Sequence, residues 1–402
     1  MKTHFLLALF LLGFITGCAE KPKSVGNGLP DVDGRFTILV DTLYASGDTT
    51  YHISYAAGVG LSNLTGRLSA SEEIITLINF LPGGTIDSLN GAKIDSVELR
   101  LTVNYRYLTQ TPIVQFSVYE VKNTWSQTTF TSDNVPALSL SASPVGAFSD
   151  TMNFATVTKA LITDTAAVRR WAMSYYDTSS AIPDFYGFAV RAPNGVNTGI
   201  VGFSTFSNYS TYVPSLFIRY TRNGRRDSMA YYSGEDTYGT VSTGAPALMP
   251  ITVRGGFGIR SKVTFDHHPL EYPAGDTVNK PIINKAMMEL TLDTLASSFG
   301  GFSPDTVTAL LGMSNTDTDR SDSSVFVYGY RKAVAAGQSP VYSFNVTKMV
   351  DRWVQFRSVN TNYGITLRWA AEFGTAEKAV FYPRTTAETA KKPKLIVTYS
   401  KK

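Results

Sequence analysis

The chain closes on "KPKLIVTYSKK", and "VPSLFIRYTRN" already stands in its middle, from Val213 to Asn223. An internal repeat constrains a fold strongly, because it sets the size of the unit that must bury a core. The match extends upstream. In the first copy Trp171 is followed by "YGFAVRA" from Tyr186 and "PSLFIRY" from Pro214; in the second, Trp353 is followed by "YGITLRW" from Tyr363 and "PKLIVTY" from Pro393. Further back, "AKIDSVELRLTV" from Ala92 pairs with "NKAMMELTLDT" from Asn284, and "VQFSVYEV" from Val114 with "SSVFVYGY" from Ser323. This pairing sets Glu98 against Glu289.

Val97, Leu99, Leu101 and Val103 alternate with Glu98, Arg100, Thr102 and Asn104, the pattern of a half-buried antiparallel strand. Tyr105 and Tyr107 continue its inward phase. Before each tryptophan the period lengthens: Val346, Met349, Val350 and Trp353 fall at i, i+3, i+4 and i+7, and Val168 and Trp171 repeat the i, i+3 pair. Asp164 or Thr165 in one copy and Thr347 in the other are natural caps for a short helix, and both tryptophans read as core anchors. Strand runs separated by Gly, Pro, Asn and Ser turns predict an all-β chain of two tandem antiparallel β-sandwich, jelly-roll-like domains, each with a short helical turn. Their expected spans are residues 35–222 and 227–400. Between them "RNGRRD", Arg222 to Asp227, reads as a short polar linker that holds the halves as a nearly fixed pair.

The N-terminus predicts an address. Lys2 precedes an apolar run from Phe5 to Ile15, too short for a membrane span and suited to a secretory signal. Ile15-Thr16-Gly17-Cys18 resembles the lipobox of bacterial lipoproteins, cleaved before a cysteine that then carries diacylglycerol. Cys18 is the one cysteine in 402 residues, so no internal disulfide competes for it. Residues 1–17 read as a lipoprotein signal peptide, and residues 18–34, mixed in charge and rich in Pro and Gly, as a flexible tether. Ala19 after the cysteine implies, by the enterobacterial sorting rule, the outer membrane of the cell envelope. The net charge of +4 is scattered and forms no basic stripe, which argues against nucleic acid as a partner.

The tryptophan-bearing helical turn, the "NYG" strand start at Asn362 and the closing "PKLIVTY" resemble the DNRLRE family of exported bacterial β-sandwich modules. The second copy, from about Arg226 to Tyr399, is the closer match. The first departs from it, with the longer insert "MSYYDTSSAIPDF" and Phe217 in its last strand. Some relatives are classed as carbohydrate-binding modules, so the resemblance implies a sugar role. An uncharacterised family of surface lipoproteins with similar β-rich domains is the alternative.

Catalytic motifs are scarce. His267 and His268 are neighbours and on a strand would face opposite sides; no Gly-x-Ser-x-Gly, His-Glu-x-x-His or phosphate-binding glycine loop occurs. Glu98 and Glu289 lie on outward strand phases in separate domains, which does not suit an acid–base pair. The chain therefore reads as non-enzymatic. Asp317, Asp319 and Asp322 in "NTDTDRSDS" alternate as oxygen ligands of a structural calcium would, without the Gly and Glu of an EF-hand loop; a solvated turn is the competing reading. Apart from that ion no cofactor is expected. Phe206, Tyr209 and Tyr212 recur among Ser, Thr and Asn, as in a sugar-stacking platform, with packing against the second domain as the alternative. Trp125, at a strand end, suits either role. The expected function is lipid-anchored binding or adhesion, with polysaccharide as the ligand. The alternatives are an envelope assembly component that binds another protein, and a polysaccharide hydrolase or lyase.

Overall fold

The computed structural model describes residues 36–80, 86–109, 113–174, 185–208, 212–242, 251–272, 280–300, 306–314, 319–332, 334–335, 337–355 and 362–401. Cys18, the signal segment, the tether, Tyr209 and Asp317 lie outside them. The first copy runs through β1 (Thr37–His52), β2 (Ser62–Ser69), β3 (Glu72–Phe80), β4 (Lys93–Tyr107), β5 (Val114–Glu120), β6 (Gly146–Asp150), β7 (Val157–Ile162), α1 (Thr165–Ser174), β8 (Phe188–Arg191), β9 (Gly199–Ser204) and β10 (Ser215–Arg222). The second runs through β11 (Arg225–Ser242), β12 (Thr252–Arg254), β13 (Ile259–Phe265), β14 (Ile282–Thr291), β15 (Thr306–Gly312), β16 (Ser321–Lys332), β17 (Val341–Asn345), α2 (Thr347–Gln355), β18 (Ile365–Trp369), β19 (Lys378–Val380) and β20 (Lys394–Lys401). The chain is all-β in character, as expected, and among the described residues its strands form two 10-stranded sheets.

Each sheet closes into a ring. One ring is β11-β10-β4-β7-β6-β5-β8-β3, the other β1-β20-β14-β17-β16-β15-β18-β13, and every pairing in both is antiparallel. The rings correspond strand for strand, with β2 and β9 added to the first as β12 and β19 are to the second. The long leading strand of each copy, however, sits in the ring of the other. Residues 37–44 of β1 pair with β20 and residues 45–52 with β13. Likewise residues 225–232 of β11 pair with β10 and residues 233–242 with β3.

The sheets therefore do not follow a division at residues 222–227. The expected linker is a hairpin: Arg222 pairs with Arg225 across Asn223 (φ 51°) and Gly224 (φ 76°). Two successive positive φ angles suit the right-handed twist of the flanking strands, and Asn-Gly adopts them at little cost.

Both cores record the exchange. Tyr231 of β11 packs in the first core and meets Trp171 edge-on, ring centroids 4.9 Å apart; Leu43 of β1 packs in the second. Helix α1 inserts Val168 and Trp171, and the Trp171 indole donates to the Phe80 carbonyl at 3.0 Å. Asp164 caps it, accepting from the Ala166 and Ala167 amides at 3.0 and 3.3 Å. Helix α2 inserts Met349, Val350 and Trp353. Thr347, expected to cap α2, does other work: its hydroxyl accepts from the Ala286 amide of β14 at 2.9 Å and donates to Asn345 at 2.6 Å. It ties the helix to the sheet.

Strand register also corrects the Glu98 and Glu289 match. Ser215 pairs with Arg100 and the equivalent Lys394 with Glu289, so Glu289 corresponds to Arg100, two residues on. Glu98 lies between Arg100 and Arg219 instead, at 2.7 and 2.8 Å.

Candidate functional site

The described residues expected to bind ligand differ in exposure and in what they pack against. The Phe206 ring is half-buried, and its backbone amide donates to the buried Asp236 at 2.6 Å, which fixes the start of the loop. Tyr212 is 54% exposed. Trp125 is a packing residue: its indole donates to the Tyr186 carbonyl at 2.7 Å and its ring meets Phe130, covering the outer face of β3 and β8. The acidic pair is divided. Asp319 binds Arg260 at 2.7 Å, whereas Asp322 accepts from Ser324 at 2.6 Å and binds Arg352 at 2.7 Å. Among the described residues no group of three His, Cys, Asp or Glu is placed to hold a metal ion, and no helix is long and apolar enough to cross a membrane.

Two other constellations are better formed. The first is a seam between the halves, built on Ala57, Leu64, Ile74, Tyr105, Tyr107, Ile200, Tyr238, Phe257 and Ala376. Tyr105 and Tyr107 are buried as expected, but against the other half: the Tyr105 hydroxyl accepts from the Ala376 amide at 2.9 Å, and Tyr107 donates to the Ser298 carbonyl at 3.4 Å. Tyr55, just past β1, donates to the Glu372 carbonyl at 3.3 Å, and burial first, then the neighbouring Tyr238 hydroxyl and Glu372, pushes its pKa well up. Beside them Glu372, 2% exposed, accepts from Arg260 Nε and Nη2 at 2.9 and 2.6 Å. Burial pulls the Arg260 pKa down, but Glu372 and Asp319 outweigh it and the guanidinium stays charged. Both Glu372 oxygens are engaged, so the pair locks the Arg260 side chain in place.

The second is a ladder of rings on the outer face of β16. Val325 and Gly329 point inward, so Phe326, Tyr328 and Tyr330 point out, 47%, 46% and 63% exposed. A side chain at Gly329 would run into the Phe344 ring, and the glycine lets β16 lie flat over the core while displaying a tyrosine on each side. Alternate residues of a strand repeat at about 6.6–6.8 Å, which sets the ladder's spacing. Phe326 and Tyr328 meet edge-on at 5.5 Å. Lys332 continues the phase and binds Glu289 of β14 at 2.5 Å; Lys394 of β20 binds its other oxygen at 3.2 Å. Burial raises the Glu289 pKa, but the two lysines overcome this and hold it below the usual carboxylate range. The face thus joins apolar rings, hydroxyls and a net positive cluster. In the ring order β16 corresponds to β6, "GAFSD", rather than to the "VQFSVYEV" of β5 that the sequence match pairs with it, and β6 turns its one ring, Phe148, inward.

The ladder went unnoticed in the sequence because "SSVFVYGY" alternates apolar with apolar. With Val325 and Val327 on one phase and three rings on the other, nothing in hydropathy says which side is out.

No family model matches the chain, and no curated protein matches it. Among solved structures, the C-terminal domain of the Streptococcus pyogenes antigen I/II-family protein AspA aligns over 89% of this chain and 91% of its own at 9% identity and a TM-score of 0.16. A likeness that low carries no argument.

Proposed function

We propose that this chain is a lipid-anchored, non-enzymatic protein of the bacterial cell envelope, built of two jelly-roll-like β-sandwich units, that binds a glycan on the outer face of β16. The observation that carries this reading is the ladder Phe326, Tyr328 and Tyr330, three exposed rings in one phase of one strand. Sugars present apolar CH faces edged with hydroxyls, and a site for them needs flat rings beside polar groups. Lys332, Glu289 and Lys394 supply the polar border. The lipobox at Cys18 and the DNRLRE resemblance support the address and the ligand class.

Each stacked ring buries about 50–100 Å², worth about 1–2 kcal/mol at about 25 cal/mol per Å². Replacing Phe326, Tyr328 and Tyr330 together with Ala is expected to weaken retention on insoluble polysaccharide at least tenfold, about 1.4 kcal/mol, while the melting midpoint moves little. Replacing Phe206 and Tyr212 leaves retention unchanged. A triple variant that binds as the parent does defeats the assignment.

A second reading, assembly with another envelope protein, rests on β1. Phe36, Ile38 and Val40 are exposed at its start, and among the described residues its first half pairs only with β20. An open apolar strand edge is a template for a partner strand.

A further inference from the structure

A groove of about 490 Å³ lies between the segment Ser132–Leu140 and the outer ends of β3, β8 and β11, with His52 of β1 at its margin. Its walls are apolar: Ile75, Val135, Pro136, Leu138, Leu140 and Val241. It opens from the packed layer in which Trp125 and Phe130 cover Leu77 and Ala189, as a slot that layer leaves unfilled. The polar lining is Ser132, Asp133, Arg191, Thr240 and His52. Ser132 and Thr240 satisfy one another through their hydroxyls at 2.7 Å.

Arg191 is the exception among these. Its Nε and Nη2 bind Glu73 at 3.0 and 2.9 Å, and Arg67 binds the same carboxylate at 2.6 Å. Two guanidiniums share one carboxylate, which leaves one positive charge in a cluster whose side chains are 24%, 10% and 6% exposed for Arg191, Arg67 and Glu73. Among the described residues the Arg191 Nη1 has no hydrogen-bond partner, and Arg191 is the member that lines the groove. Asp133 is exposed, where water screens its charge; Arg191 is half-buried, where screening is weaker.

We infer that this groove binds an amphiphile with an unbranched apolar body and a terminal carboxylate, the carboxylate meeting Arg191 and the body lying along Leu138, Leu140 and Val241. A pocket of this size falls within the usual range of about 300–1,000 Å³ for small ligands, and the remaining Nη1 of Arg191 can give a carboxylate a charge-assisted hydrogen bond. The site is separate from the β16 face and stands or falls without it.

The test is calorimetric titration of the full chain with octanoate, 1-octanol and octyltrimethylammonium, which share an alkyl chain and differ in the charge of the head. Octanoate is expected to bind at least tenfold tighter than the alcohol, and the cation weakest. Arg191→Met removes the advantage of octanoate while the alcohol binds as before. Asp133→Asn tightens octanoate, and Leu138→Trp, which fills the groove, abolishes binding of all three. If Arg191→Met fails to fold, the alkyl series and Leu138→Trp still decide the matter. Equal affinity for octanoate and octanol, retention of octanoate by Leu138→Trp, or no octanoate binding at millimolar concentration overturns the inference.

Discussion

At the scale of single residues, the seam turns on one guanidinium. Arg260 satisfies Glu372 with two hydrogen bonds and reaches Asp319 with a third, and Tyr51 donates to the same aspartate at 3.3 Å. Glu372 is buried and has no other cation within ion-pair distance among the described residues. Arg260→Met leaves that carboxylate in a site that water cannot reach, and such half-removals cost about 3–5 kcal/mol, whereas replacing both partners by apolar groups is often close to neutral. The expected result in chemical denaturation is a large loss for Arg260→Met and recovery of most of it in Arg260→Met with Glu372→Leu. A double variant no more stable than the single one would mean that the pair does not act as a unit. The same logic explains why Glu372 escaped notice in the sequence. It stands in "AAEFGTAEK", where nothing distinguishes a locked carboxylate from a solvated one.

At the scale of elements, strands and helices were legible but their partners were not. The alternation through Val97, Leu99, Leu101 and Val103 names the buried face of β4, and the i, i+3, i+4 spacing before Trp353 names α2, because both signals are local. That β1 pairs with β20 is a contact between residues 37–44 and 394–401, and no local pattern states it. One local signal does speak to partners: Asn223-Gly224 between apolar runs is a strong hairpin cue, and the hairpin sets the start of β11 beside β10 in the first ring. The exchange gives a direct expectation. A chain that begins at Ile53 lacks β1, and the ring that loses its closing strand is the one formed by residues 251–401. Hydrogen exchange should show protection lost most in β13 and β20, the strands that β1 pairs with, and less in β3 and β10. Greater loss of protection in β3 and β10 instead would show that β1 belongs to the first ring.

At the scale of the whole molecule, the exchange and the seam decide how the protein unfolds. Two rings with separate cores would melt separately, and a defect in one would leave the other untouched. Here Tyr231 of β11 packs on Trp171 in the first core, while the same strand continues to Tyr238 at the seam. Leu43 of β1 sits in the second core, and the chain following β1 carries Tyr55 into that seam. Opening either ring frees a strand whose continuation holds the other half, so the two should unfold as one cooperative body although each buries its own tryptophan. Trp171→Ala and Trp353→Ala each remove a fully buried side chain, at a cost of about 3–5 kcal/mol. Scanning calorimetry is expected to give one endotherm in the parent and in both variants, displaced as a whole to lower temperature, with the calorimetric and van't Hoff enthalpies in agreement. Two endotherms, one fixed at the parental midpoint and one displaced, would mean that the exchanged strands and the tyrosine seam transmit too little energy to couple the halves, and that each ring answers only for its own core.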